Sequence, residues 1–423
     1  MLGLRKHKVL VQSAGIYTLA NFLNAAIPFL LLPFLTNHLS PADYGIVAMF
    51  QVLMQFTTPF VGMNSTSAIT RQYYDRDKID FRQYVSDSFF ITMVTGIFIT
   101  LLFVAFKSPL SAVTQFPENW LFVVVIYCLA QNIGLIVLSL WQVQYKPVPY
   151  GLFRIGRTIL DISFSVGLIL WVGMRWEGMV IGQTTATLLQ AALALFFLLK
   201  GKWLRKGINK EYIKDALKFG VPLIPHVIGA IIITYSDRLF ITNMVSIAET
   251  GLYSVGYNVG MIVYLVQNSF NQAWVPWFYE KLKGDRHSDK LNIVKFTYLY
   301  YLAMGLLVAV VTLGTPWFFT TFLGQNFQNA MQYVFWIALG FGFNGMYKMV
   351  VNYIFYLKKT YIISIMTVVT AVINILLNYF FIRSMGAIGA AKATAVSFFI
   401  EFVVVWIISS RLYKMPWLMQ KAK

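Results

Sequence analysis

Ionisable side chains that stand inside long apolar runs of this chain include Asp161, Asp237, Arg238, Lys348, Lys392 and Glu401. A charge in hydrocarbon is costly, so each marks a partner, a proton relay or a bound ligand. The cations suit an anion such as a phosphate ester; the carboxylates suit a proton or a cation. Asp237 and Arg238 are neighbours, and adjacent side chains on a helix diverge by about 100°, so they are not expected to form a self-contained pair. Arg238 lies about six residues from the outer end of its run, within snorkelling reach. Lys348 and Lys392, each about two turns from an end, either snorkel to the interface or touch substrate. Glu401 points away from Lys392 on the same run and has no local partner, so it either holds a proton or pairs with another helix. Arg154, Arg157 and Asp161 share a face at spacings of three and four. Arg157 and Asp161 therefore form either an i,i+4 ion pair or one wall of a basic mouth for a phosphate group.

Uncharged polar residues fall into stripes. Residues three and four apart share a helix face, and in a membrane a polar face turns away from lipid. Tyr17, Asn21, Asn24 and Pro28 form one stripe; Tyr44, Gln51, Gln55, Thr58, Gly62 and Ser65 form a second. His226, Gly229, Ser236 and Asp237 form a third, and Tyr253, Tyr257, Gly260, Tyr264, Asn268 and Asn271 a fourth. Such stripes either glue helices together or line a polar cavity. Their occurrence on equivalent helices of the two halves favours the cavity. Tyrosine faces beside amide side chains suit sugar rings.

These residues are carried by twelve apolar runs, each long enough to cross a hydrocarbon core that takes about 20 residues. They lie near 10–36, 44–67, 84–106, 120–141, 152–173, 178–199, 219–244, 251–276, 296–314, 330–356, 361–382 and 386–410. The predicted fold is an all-α integral membrane protein of about twelve transmembrane helices in two pseudo-symmetric six-helix lobes. Of 34 Lys and Arg, 28 fall at the ends and in alternate gaps between runs, which assigns those segments and both termini to the cytoplasm. Lys107, Arg175 and Arg383 fall on the other side, and Arg238, Lys348 and Lys392 remain inside. The expected domains are 1–200, a basic cytoplasmic linker at 201–218 lying amphipathically on the surface, and 219–423. Pro28 and Pro33 in the first run, and Pro222 and Pro225 in the seventh, are expected to kink those helices.

Composition excludes the soluble classes. Charged residues make up 12% and apolar ones 58% of 423 positions, against roughly a quarter charged in soluble domains. The net charge of +18 reflects basic loops facing anionic phospholipid, and no nucleic-acid partner is expected. The single cysteine, Cys128, lies in an apolar run and precludes an intramolecular disulfide. No metal site or cofactor is expected. Arg5, Lys6 and Lys8 precede a run too long for a signal peptide, which is expected to be a retained helix. The gaps leave no room for a soluble catalytic domain, and the chain is not expected to be an enzyme.

The halves echo each other. Ala42-Asp43-Tyr44-Gly45 is matched by Ala248-Glu249-Thr250-Gly251, and Gly182-Gln183-Thr184-Thr185-Ala186-Thr187 by Gly389-Ala390-Ala391-Lys392-Ala393-Thr394, at nearly one offset. Six helices per half makes the copies parallel, an arrangement that commonly sets the substrate site between halves.

The stretch Phe219-Gly220-Val221-Pro222-Leu223-Ile224-Pro225-His226, then Ser236-Asp237-Arg238, Gly251-Leu252-Tyr253-Ser254-Val255-Gly256-Tyr257 and Asn271-Gln272-Ala273-Trp274-Val275-Pro276, resembles the polysaccharide-export flippases of the Wzx type. Leu39-Ser40-Pro41-Ala42-Asp43-Tyr44-Gly45 matches the N-terminal signature of the same family. With the twelve-run plan, the resemblance covers essentially the whole chain. It implies the V-shaped fold of the superfamily that includes drug–cation antiporters and lipid II flippases (MOP), with helices 1, 2, 7 and 8 lining the cavity. It implies a lipid-linked oligosaccharide on undecaprenyl pyrophosphate, turned from the inner to the outer leaflet of the cytoplasmic membrane for O-antigen or a related surface polysaccharide. It also implies cationic cavity residues on the pyrophosphate: Arg238 matches the family motif by position, whereas Lys348, Lys392 and Arg157 are nominated by burial. An H+ or Na+ gradient is the candidate driving force, with Glu401, Asp161 or Asp237 as carriers. A monomer, with polysaccharide assembly proteins as partners, is expected. The alternatives are a small-molecule cation antiporter of the same fold and, less favoured, a membrane glycan polymerase or ligase, which generally needs a large basic external loop.

Overall fold

The structure, a computed structural model, describes residues 29–418. Asn21 and Asn24, with the rest of the first stripe and most of the first run, lie outside the described residues. The chain divides into two compact units: one comprises residues up to Leu30 and Asp43–Ile231, the other Leu31–Ala42 and Ile232 onward.

Sixteen α-helices are described: α1 (Leu32–His38), α2 (Pro41–Thr57), α3 (Ser65–Gln72), α4 (Phe81–Ala105), α5 (Lys107–Thr114), α6 (Leu121–Val143), α7 (Pro147–Val172), α8 (Trp176–Lys200), α9 (Lys210–Gly220), α10 (Ile224–Met244), α11 (Ile247–Gly260), α12 (Ile262–Lys283), α13 (His287–Phe322), α14 (Met331–Tyr356), α15 (Thr360–Met385) and α16 (Ile388–Leu412). Among the described residues, nine helical stretches are long and apolar enough to cross a membrane. The runs read as third to sixth and ninth to twelfth each coincide with one long helix, and none of them contains a proline. α13, with 36 residues, rises about 54 Å at 1.5 Å per residue, well beyond a hydrocarbon core of about 30 Å.

Three runs depart from expectation. The second is not one helix: after α2 the backbone turns at Gly62, Met63 and Asn64, all with positive φ, before α3 begins. Gly62 takes φ +83, and a Cβ there would lie 3.0 Å from Thr92 Oγ1; glycine alone adopts this conformation freely. The proposed stripe therefore ends at Gln55, and Ser65 belongs to another helix. The eighth run is divided at Met261 into α11 and α12. In the seventh, a single 3-10 turn at Val221–Leu223 holds Pro222, and Pro225 stands in the first turn of α10, where its missing N–H leaves no carbonyl unpaired. Pro33 likewise starts α1 after a turn at Leu31.

The repeated motifs have a local physical cause. Ser246 caps α11, its hydroxyl accepting from the Glu249 amide at 3.1 Å; Ser40 precedes Asp43 by the same three residues at the start of α2. Both fit a capping box with its acid in the first turn. Gly182 on α8 and Gly389 on α16 each let a helix approach its antiparallel neighbour. An added Cβ would fall 2.5 Å from Ser165 N on α7 and 2.3 Å from the Phe381 carbonyl carbon on α15. Small residues at such crossings replace the hydrophobic driving force that lipid does not supply.

The basic linker is not a free strap. Asp87, buried near the start of α4, accepts from the Asn209 amide at 3.3 Å and from Gln83 Nε2 at 2.9 Å. Ser86 Oγ receives the Arg205 amide at 3.0 Å, and Arg205 pairs with Asp80 at 2.9 Å. α9 then packs on α3 and α4, with Tyr84 donating to Asp215 at 2.9 Å.

In the second unit, the C-terminal segment folds back over an aromatic cluster. Tyr298 donates to the Trp417 carbonyl at 2.9 Å, and Trp417 packs edge-on against Trp406 and Tyr353. Tyr413 reaches Asp285, which pairs with Lys290 at 2.6 Å.

Candidate functional site

In the second unit, α10 delivers Asp237 and Arg238 into the helix packing, where they are 1% and 4% exposed. Contrary to the helical-wheel expectation, the neighbours do form a pair. Arg238 Nη1 donates to Asp237 Oδ1 at 3.1 Å, and the Arg238 amide donates to the same oxygen at 2.8 Å. The Asp237 carboxylate swings back over its own turn, which the 100° separation of Cβ vectors does not forbid. Its second oxygen accepts from Tyr253 on α11. Arg238 does not snorkel either: its guanidinium donates to the Thr234 carbonyl at 2.9 Å and lies 4.3 Å from the Tyr257 ring centroid and 5.2 Å from that of Tyr235. The charge is thus neutralised and caged by aromatics. Such a cage is worth more where water is excluded.

Three other cations lack such a partner. Lys348 on α14, half-buried, donates to Asn268 Oδ1 at 3.1 Å and sits 5.0 Å from the Tyr264 centroid on α12. Lys392 on α16 contacts Met385 Sδ at 3.4 Å and lies 5.3 Å from the Trp336 centroid. In the first unit, Arg157 on α7 donates to Tyr127 Oη on α6 and lies 5.6 Å from that ring. It makes no ion pair with Asp161, which accepts from Ser165 Oγ at 3.2 Å. The predicted i,i+4 bridge loses to a tyrosine brought across by the α6–α7 packing. Among the described residues, no carboxylate comes within ion-pair distance of Lys348, Lys392 or Arg157.

Glu401 on α16 is buried, 6% exposed, and no hydrogen bond or ion pair reaches it among the described residues; Tyr347 is its electrostatic neighbour. Gln51, Gln55 and His226 are exposed on the first unit.

One polar lattice escaped the sequence reading. Asn374 Nδ2 on α15 donates to Ser397 Oγ on α16 at 3.3 Å, and Asn374 Oδ1 accepts from Asn378 at 3.0 Å and Ser236 at 3.4 Å. Among the described residues, Asn378 Oδ1 and Thr394 Oγ1 are buried without a hydrogen-bond partner. Oxygen acceptors of this kind suit a water or an alkali cation. The signal was present as Thr370, Asn374 and Asn378 at four-residue spacing. The Gln267–Asn344 bond between α12 and α14, at 3.0 Å, was likewise not foreseen.

Known structures share this helical fold. The chain is similar to the inward closed conformation of the lipid II flippase MurJ, with a TM-score of 0.75 and 15% identity, covering 93% of this chain and 87% of that one. It is also similar to an inward-facing multidrug resistance MATE family transporter of the MOP superfamily, with a TM-score of 0.74 and 12% identity, covering 92% and 94%. At these identities the likeness shows the fold alone; the long apolar helices make this a multi-pass protein of the inner membrane. Over 373 residues the chain is 26% identical to an uncharacterized membrane protein of Haemophilus influenzae, covering 86% of this chain and 88% of that protein. Residues 10–281 match the polysaccharide biosynthesis protein family, and the chain belongs to it, as the Wzx-type resemblance implied.

Proposed function

We propose that this protein is a flippase that moves an oligosaccharide linked to undecaprenyl pyrophosphate from the inner to the outer leaflet by alternating access, for surface polysaccharide assembly. The observation that carries the reading is Lys348 with Tyr264 and Asn268, in a chain of the polysaccharide biosynthesis family. A half-buried ammonium without a carboxylate seeks an anion, and the tyrosine face and carboxamide beside it match a sugar's apolar face and hydroxyls. A cation antiporter of the same fold would be better served by a carboxylate where Lys348 stands. Arg238 is a positioning residue, its charge already matched by Asp237. For coupling to an H+ or Na+ gradient, Glu401 is the favoured carrier over Asp161 and Asp237, because those two already have partners. The protein acts as a monomer, its basic loops on anionic phospholipid, beside the polysaccharide assembly proteins that consume its product.

The test is genetic. Deleting the gene removes one surface glycan while the lipid-linked precursor accumulates inside; normal glycan in the deletion strain refutes the reading. Complementation with Lys348→Arg restores export better than Lys348→Gln, since the arginine keeps the charge.

A further inference from the structure

Two unmatched charges and a set of packed indole rings meet in the first unit, on the side that the charge pattern sets opposite the basic loops. There α7 ends at Gly173, whose φ of +75 reverses the chain, with the Gly173 and Met174 amides both donating to the Leu168 carbonyl. After Met174 and Arg175, α8 starts at Trp176, beside the 3-10 turn Glu118–Trp120 that leads into α6. Between them lies a cleft of about 400 Å³, lined by Trp120, Gly173, Met174, Arg175, Glu177 and Ile181. Gly173 keeps its rim open, since no atom lies within 4 Å of where a Cβ would stand.

The lining is neutral overall yet holds separated charges. Glu118, two residues before Trp120, is taken by Lys107 at 2.9 Å. Among the described residues, the Arg175 and Glu177 side chains make no hydrogen bond or ion pair, with each other or with any other group. Side chains two apart on a helix do not face each other, so this pair stays open for a ligand to bridge. Glu177 stands in the first turn of α8, where the helix dipole favours an acid. Trp120 is held by Trp176, 5.0 Å between centroids, and Trp176 rests 6.0 Å from the fully buried Phe116. Trp171, in the last turn of α7, is 87% exposed. Tryptophans gather where membrane meets water, so the cleft lies at headgroup depth. Below it, Ile181 opens an apolar track, and Leu188, about two turns further on the same face of α8, is exposed. A purely anionic group would meet Glu177, a purely cationic one would meet Arg175, and a glycan would make no use of the track. A phospholipid head that carries both charges fits all three. The guanidinium fork takes its phosphate, and the carboxylate, an acceptor only, takes the N–H groups of a primary ammonium. The volume falls within the ~300–1,000 Å³ of small-molecule sites.

We propose that this cleft seats the headgroup of a zwitterionic phospholipid with a primary ammonium, in the leaflet opposite the basic loops. Its phosphate lies on Arg175, its ammonium on Glu177, and its acyl chains run along α8 from Ile181. The two faces of the protein then select different lipids, anionic at the basic loops and zwitterionic at this cleft. The site stands independently of the flippase reading, because binding is measured without export.

The detergent-purified full chain is titrated, by native mass spectrometry, with phosphatidylethanolamine, phosphatidylcholine and phosphatidylglycerol of the same acyl chains, and with maltotriose. The wild type binds one phosphatidylethanolamine about tenfold more tightly than phosphatidylcholine, whose ammonium has no N–H, the scale of one charge-assisted hydrogen bond. Glu177→Gln brings that ratio to about one, and Arg175→Gln weakens both lipids by about tenfold. Arg175 is exposed and Glu177 half-buried, so both variants should unfold near the wild-type temperature. A wild-type ratio near one, or a ratio unchanged in Glu177→Gln, overturns the site. Should that variant fail to fold, Arg175→Gln decides: phosphatidylethanolamine bound as tightly as by the wild type overturns the site equally. Phosphatidylglycerol bound as tightly as phosphatidylethanolamine, and lost alike in Arg175→Gln, overturns it in favour of a plain anion site. Maltotriose that displaces phosphatidylethanolamine from the wild type overturns it in favour of a glycan groove. Normal glycan export in the deletion strain overturns the flippase reading and leaves the lipid ratio as the measure of this cleft.

Discussion

Asp237→Asn is the most informative single substitution in this protein. It keeps the shape of the side chain and removes the only carboxylate that, among the described residues, pairs with Arg238, a residue 4% exposed. Removing one member of a buried ion pair costs about 3–5 kcal/mol, because the other charge stays buried and unmatched. Here the Thr234 carbonyl at 2.9 Å and the Tyr257 ring at 4.3 Å retain some stabilisation of the cation, so the lower end, about 3 kcal/mol, is expected. Arg238→Gln should cost less. A carboxyl left alone can take up a proton, whereas a guanidinium cannot lose one, and the Arg238 amide and Tyr253 hydroxyl still donate to Asp237. The double variant should recover much of the loss, since a neutral pair carries no desolvated charge. The assay is reversible unfolding of the purified protein for wild type, both singles and the double, closed as a double-mutant cycle. Asp237→Asn as stable as wild type, or a double variant no better than the sum of the singles, refutes the caged-pair account.

Gly182→Ala should destabilise by about 1–3 kcal/mol through overpacking, because the new Cβ meets the Ser165 backbone at 2.5 Å. Gly305→Ala, with nothing within 4 Å of its Cβ, serves as the neutral control in the same melt. Asp87→Ala should speed proteolysis of the segment around Asn209 by about tenfold, given the charge-assisted hydrogen bonds it removes; cleavage at the wild-type rate would show that the linker is held by other contacts. The C-terminal segment should loosen in acid. The Lys290 hydrogen bond and charge, followed by the Tyr413 hydroxyl, hold Asp285 below the usual carboxylate range, so its contribution is present above that range and is lost as pH falls through the depressed value. On the other flank, burial and then Asp285 push Tyr413 up to about 12, so it stays a donor throughout. Trp417 fluorescence should change on acidification in the wild type and much less in Asp285→Asn.

Much of the architecture was legible before any coordinates. Eight runs coincide with single long helices because length and apolarity alone decide whether a helix can sit in lipid. The breaks at Gly62–Asn64 and Met261 were harder to read. The first depends on a left-handed backbone stretch whose neighbours, Thr92 and Thr95, come from another helix; the second follows Gly260 directly, a glycine that the spacing places in a continuous stripe. The repeat motifs were visible as words, and their meaning as helix caps and glycine crossings emerged only with the packing.

Charge pattern and hydropathy were enough to name the membrane as solvent, to bound the helices and to isolate a handful of ionisable residues within them. These are one-dimensional properties, summed along the chain. Which of those residues is satisfied is a matter of partners from distant helices, and only the tertiary structure decides it. Tyr253 and Tyr257 close over Arg238, Tyr127 takes Arg157 away from Asp161, and Glu401 and Lys348 remain without an opposite charge among the described residues. The cost of a buried charge depends on the few ångströms around it, and sequence spacing does not specify those.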